Sequence, residues 1–79
     1  MNINKTKFIN FLNFKINLYQ NSKFYIYAEF YRNLLNDFTH SEIETFKFNF
    51  NANFEASKGT FYYIDCLDIN NKINELKIF

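Results

Sequence analysis

The chain has 79 residues and a formal net charge of +1, from nine basic and eight acidic side chains. That length holds one small domain and excludes a two-lobed enzyme with a cleft between its lobes. Apolar residues at 48 % exclude a disordered tail, and the scattering of charges argues against both a basic nucleic-acid-wrapping arm and an acidic nucleic-acid mimic.

Residues 4–13 read as a helix, because Phe8, Phe11 and Leu12 recur at i, i+3, i+4 and Ile9 widens the stripe. Residues 14–20 alternate, with Phe14, Ile16 and Leu18 on one face. Residues 24–31 alternate as well, with Phe24, Ile26, Ala28 and Phe30 opposite Tyr25, Tyr27, Glu29 and Tyr31. A hairpin across Asn21-Ser22-Lys23 puts both apolar faces on one side when Gln20 pairs with Phe24. That register also sets Lys15 opposite Glu29 and Tyr19 opposite Tyr25. Residues 29–38 carry a second pattern, since Phe30, Leu34 and Phe38 fit a period of 3.6. Both readings stay open there.

Ser41-Glu42-Ile43-Glu44 has the form of a capping box, Ser41 at N-cap and Glu44 at N3, with a short helix after it. Residues 46–54 read Phe-Lys-Phe-Asn-Phe-Asn-Ala-Asn-Phe, a period-two strand with one buried face. Residues 56–60 are a loop around the only Gly. Residues 61–67 are the partner strand. An unpaired buried carboxylate costs several kcal/mol, so Asp65 is expected to face outward, with Tyr62, Ile64 and Cys66 inward. At the C-terminus Ile69, Ile73 and Leu76 favour a helix over a turn at Asn70-Asn71 followed by a last strand. With one Gly and no Pro, Asn is expected to supply the left-handed turn positions. No repeat or linker breaks the chain. The expected fold is α+β: a small antiparallel sheet of about four strands in two hairpins, with one or two helices on it, as a single domain over 1–79.

Catalytic and ligand motifs do not emerge. His40 is the only His and reads as a surface loop residue; with one distant Cys it makes no zinc site, so no metal and no cofactor are expected. Glu42 and Glu44 read as capping and solvated charge rather than a catalytic pair. Cys66 sits in an apolar stretch, reads as a buried inert thiol and has no second Cys to pair with. One glycine is too few for a phosphate-binding loop. Lys58-Gly59-Thr60-Phe61-Tyr62-Tyr63-Ile64 invites comparison with the aromatic strand of RNA-recognition domains. It departs from that pattern at Thr60 and Tyr62 and lacks a companion strand. No enzyme is expected. The first residues lack the apolar run of a signal peptide and no segment approaches the ~20 apolar residues of a membrane span, so a cytoplasmic protein is expected.

The aromatic residues, 12 Phe and 6 Tyr, stand out. Phe, Ile, Asn, Lys and Tyr make up 49 of the 79 residues, and all have AT-rich codons, so their number carries little. Their placement carries more. On the hairpin register Phe lines the core face, while Tyr19, Tyr25, Tyr27, Tyr31 and Tyr63 lie on the other. Tyr buries area while keeping a wet polar tip, which suits an interface. These five are the expected partner-binding residues, on a face for a protein or nucleoprotein complex or a second copy of the chain. A nucleic-acid module stacking bases on the same tyrosines, with Lys15, Lys23, Lys47 and Lys58 on phosphates, is the alternative.

In whole-chain format the sequence resembles small phage- or mobile-element-encoded inhibitors of host defence, of the anti-CRISPR type. The format is one α+β unit whose hairpins, Phe14 to Tyr31 and Phe46 to Leu67, are joined by Asp37-Phe38-Thr39-His40-Ser41-Glu42. The resemblance implies steric occlusion of a host nucleic-acid-targeting nuclease complex in the host cytoplasm, and it assigns no residue a role.

Overall fold

The computed structural model describes residues 3–79 and consists of four helices: α1 Ile3–Asn21, α2 Tyr25–His40, α3 Ile43–Ser57 and α4 Tyr63–Leu76. Among the described residues there is no strand, so the α+β antiparallel sheet with its two hairpins is replaced by an all-helical fold. The helix expected over 4–13 is the first part of α1. The helical alternative over 29–38 lies within α2, and Ile69, Ile73 and Leu76 are buried together on α4.

The two expected hairpins fail for one reason. An apolar residue at every second position also fills every fourth, so the alternation contains a helical stripe. In α3, Phe46 and Phe50 are buried and Phe54 is half-buried, at spacings of four, while Phe48 between them is 74 % exposed. In α1 the buried residues are Phe8, Leu12 and Ile16, while Phe14 and Leu18 are exposed. In α2 they are Ala28, Tyr31, Leu34 and Phe38. Burying a large apolar side chain contributes roughly 1.5–3 kcal/mol, which outweighs the low helix propensity of the interspersed Asn.

Direction follows from the ring contacts. Phe8 meets Phe38 at 4.8 Å between centroids, and Tyr19 meets Tyr27 at 5.3 Å, so α1 and α2 run antiparallel. Lys15 pairs with Asp68 and the Lys72 ammonium lies over Phe11, so α4 also runs antiparallel to α1. Phe46 touches Phe8 and Phe38, and Phe54 touches Tyr63, so α3 starts beside the start of α1 and ends beside the start of α4. The helices alternate in direction around a core of Phe8, Leu12, Tyr31, Phe46, Phe50, Ile69 and Ile73.

The α1–α2 turn closes as a Schellman motif. Phe24 N–H donates to Tyr19 C=O at 2.8 Å, Lys23 N–H donates to Gln20 C=O at 3.2 Å, and the Phe24 and Tyr19 rings meet. The same pattern ends α4, where Ile78 N–H reaches Ile73 C=O at 3.0 Å. The left-handed positions are Lys23 and Lys77, with φ of 64° and 53°, and not asparagines. Gly59, at φ 83° in the α3–α4 loop, is where a side chain would be strained. The expected capping box does not form. Glu42 is the N-cap of α3, and no side chain caps it.

Candidate functional site

Where α1 closes and α2 and α4 begin, aromatic side chains gather. Tyr19 stacks on Tyr27 at 5.3 Å and on Tyr31 at 5.7 Å. Phe24 meets both Tyr19 and Tyr27 edge-on. Tyr62, just before α4, touches Tyr27 and stacks on Phe30 at 5.1 Å. Helical spacing makes this cluster: 27, 30 and 31 share one side of α2, and the antiparallel α1 brings Tyr19 alongside.

Asp65 ties the cluster down. It lies in the first turn of α4 and is 6 % exposed. The Tyr19 and Tyr31 hydroxyls both donate to its Oδ1, each at 2.9 Å. A carboxylate at a helix N-terminus is also favoured by the partial positive charge of the free N–H groups. The outward Asp65 expected from the sequence is therefore corrected, as is the inward Ile64, which is exposed. The desolvation argument assumed an unpaired carboxylate, and two phenols from other helices satisfy this one. A helical reading puts Asp65 on the Ile69–Ile73 stripe at i+4 and i+8, the sequence signal that could have found it.

Burial, followed by the bond to Asp65, pushes the Tyr19 phenol up to about 12, and the same two causes raise Tyr31 further. Both phenols hold their protons more tightly folded than unfolded. Their contribution is complete below the ordinary tyrosine value of 10.0 and is lost as pH rises through about 12. The buried Cys66 thiol, raised from 9.0, acts in the same sense, so the urea midpoint is expected to stay flat to about pH 9 and fall above it, most steeply beyond pH 10, with Tyr31 ionising only as the chain unfolds. Absorbance titration beside circular dichroism reads this. A Tyr31 signal that titrates with the exposed tyrosines, in a folded chain, would contradict it.

The expected interface tyrosines separate. Tyr31 is fully buried. Tyr19 and Tyr27 are half-buried within the cluster, and Tyr25 is 55 % exposed beside it. Tyr63 packs elsewhere, against Phe54 of α3. The partition of Phe inward and Tyr outward does not hold, since Phe14, Phe24, Phe48 and Phe61 are exposed. The residues missed at this end are Phe24 and Ile26 of the turn into α2, and Phe61 and Ile64 flanking Tyr62, all exposed. Three of the four lysines assigned to phosphates are engaged within the chain. Lys15 pairs with Asp68, Lys58 with Glu55, and Lys47 lies over Phe79.

Elsewhere, Cys66 is buried, and its burial pushes the thiol up, the opposite of nucleophile activation. His40 is the last residue of α2, exposed, with Nδ1 3.0 Å from Asn36 C=O. Among the described residues no group of three or more His, Cys, Asp or Glu is placed to hold a metal ion, and no helix is long and apolar enough to cross a membrane. Comparison with known proteins finds no match: no family model, no curated protein and no solved structure corresponds to this chain.

Proposed function

We propose that the chain is a non-catalytic protein-binding module that engages a macromolecular partner through the aromatic end of its helices. The observation that carries this is the exposure of five apolar residues at one end of a 79-residue chain: Phe24, Tyr25, Ile26, Phe61 and Ile64. Exposed apolar side chains scattered singly are ordinary, whereas a group of them at one place marks an interaction surface. Phe24 is held edge-on by Tyr19 and Tyr27 of the stacked cluster, which lowers the ordering cost of binding there.

The narrower reading, steric block of a nuclease complex as in inhibitors of the anti-CRISPR type, is one form of this proposal. What supports it is small size and the lack of a catalytic motif, since the hairpins that completed the format are absent. Base stacking is not favoured, because Tyr27 and Tyr31 both stack on Tyr19 and those ring faces are already occupied.

The double variant Tyr25→Ala/Phe61→Ala is expected to keep wild-type helicity and melting temperature. Both side chains lie outside the core, Phe61 at 87 % exposure. It is expected to lose capture of the partner that the wild-type chain retains from lysate of its host cell. Undiminished capture by the folded double variant would place the binding surface elsewhere.

A further inference from the structure

A groove runs from this aromatic end along α2. Two adjoining cavities of about 320 and 430 Å³ share Phe30, Asn33 and Tyr62 as walls. One extends over Ile26 and Glu29; the other extends to Asp37, Asn53 and Thr60, with Cys66 also lining it. We propose that this groove docks an extended basic segment of the partner protein. One Lys or Arg of the segment bonds the Asp37 carboxylate, and apolar side chains preceding it lie over Tyr62, Phe30 and Ile26. This rests on the protein-binding reading above and names the chemistry of what is bound.

Charge is the first argument. The groove contains two carboxylates, Glu29 and Asp37, and no Lys or Arg lines either cavity. Among the described residues the ion pairs are Lys15–Asp68, Arg32–Glu29, Lys58–Glu55 and Lys72–Glu75, so Asp37 has no cation of its own. It is half-buried beside apolar side chains, where a bound cation is screened less than at an open surface. Lys58, in the adjoining loop, is held by Glu55 at 2.9 Å.

Length and chemistry are the second. Ile26, Phe30, Asn33 and Asp37 form one stripe of α2 at spacings of four, three and four. Ile26 to Asp37 spans roughly 16 Å at helical rise, the reach of about five extended residues. In such a segment the first, third and fifth side chains face the groove, two apolar and one basic. The Asn33 and Asn53 amides each offer a donor and an acceptor to the backbone of the segment. The Ser57 and Thr60 hydroxyls donate to Phe54 C=O and Ser57 C=O, in the last turn of α3.

The probe is a blocked pentapeptide with leucine first and third, arginine fifth and serine between, titrated into the ¹⁵N-labelled full chain. The expected result is saturable amide shifts confined to α2 from Ile26 to Asp37, to α3 from Asn53 to Ser57 and to the loop from Thr60 to Tyr62. Glutamate in place of the arginine, or Asp37→Asn in the protein, is expected to weaken binding about tenfold. The peptide arm needs no protein variant and so stands even where Asp37→Asn lowers stability. No saturation, shifts centred elsewhere, or equal binding of the arginine and glutamate peptides would overturn the proposal. The broader reading is judged separately. Capture lost in Tyr25→Ala/Phe61→Ala but kept in Asp37→Asn removes the groove and leaves the aromatic end standing. Capture kept in both removes both.

Discussion

Asp65→Ala is expected to lower the free energy of unfolding by about 2–5 kcal/mol, with two phenol donors left without their acceptor. Tyr31 is fully buried and loses the most; Tyr19 is half-buried and recovers part of its bond from water. Asp65→Asn keeps an oxygen in place and is expected to cost less than Asp65→Ala. Tyr31→Phe removes one of the two bonds, at about 1.5–3 kcal/mol for a hydrogen bond to a charged acceptor. The double variant Tyr31→Phe/Asp65→Ala is expected to cost clearly less than the sum of the singles, because each single already breaks the shared bond. Urea denaturation of the four variants reads all of this. Additive effects, or a loss below about 0.5 kcal/mol for Asp65→Ala, would mean that the two phenols and the carboxylate do not share a bond. A chain of this length has a total stability of roughly 4–12 kcal/mol, so Asp65→Ala removes a large share of it.

Phe46→Ala and Phe48→Ala are expected to differ by several kcal/mol, although the residues are two apart and chemically identical. Phe46 is 1 % exposed and meets Phe8, Phe38, Phe50 and Phe79. Truncating it removes transfer energy and opens a cavity, about 3–5 kcal/mol together. Phe48 points to solvent, and its truncation is expected to change stability by less than about 0.5 kcal/mol. On a strand the two would share a face and cost alike. Equal losses would therefore contradict the helical α3, and far-ultraviolet circular dichroism of the wild-type chain gives an independent check.

Several features were legible without the fold. The buried character of Cys66 comes from reading its apolar neighbours. The stripe of Phe8, Leu12 and Ile9 marks the first helix, and Ile69, Ile73 and Leu76 mark the last, because their spacings of three, Ile9 to Leu12 and Ile73 to Leu76, would change face on a strand. Asn21-Ser22-Lys23 is where the chain reverses, as its composition indicates, though it joins two helices and not two strands.

The middle of the chain resisted because its pattern is degenerate. Phe46, Phe48 and Phe50 satisfy period two, and Phe46, Phe50 and Phe54 satisfy a helical stripe. Phe48, 74 % exposed, stands where a helix face is ordinarily polar, so an exposed aromatic imitates a strand face. Local pattern cannot choose between the two. The choice falls to whether Phe46 finds Phe8 and Phe38 on other helices, which is long-range packing. Asp65 shows the same division. Its sequence environment dictates that a carboxylate there must be solvated or paired, and nothing local says which. Tyr19 and Tyr31, 46 and 34 residues away, decide it by arriving from α1 and α2 with hydroxyls at 2.9 Å. The sequence by itself determined the aromatic-rich composition, the helical stripes at the two ends and the chain reversal at Asn21-Ser22-Lys23. Only the tertiary structure decided which aromatics are core and which are surface, because burial belongs to contacts between distant segments.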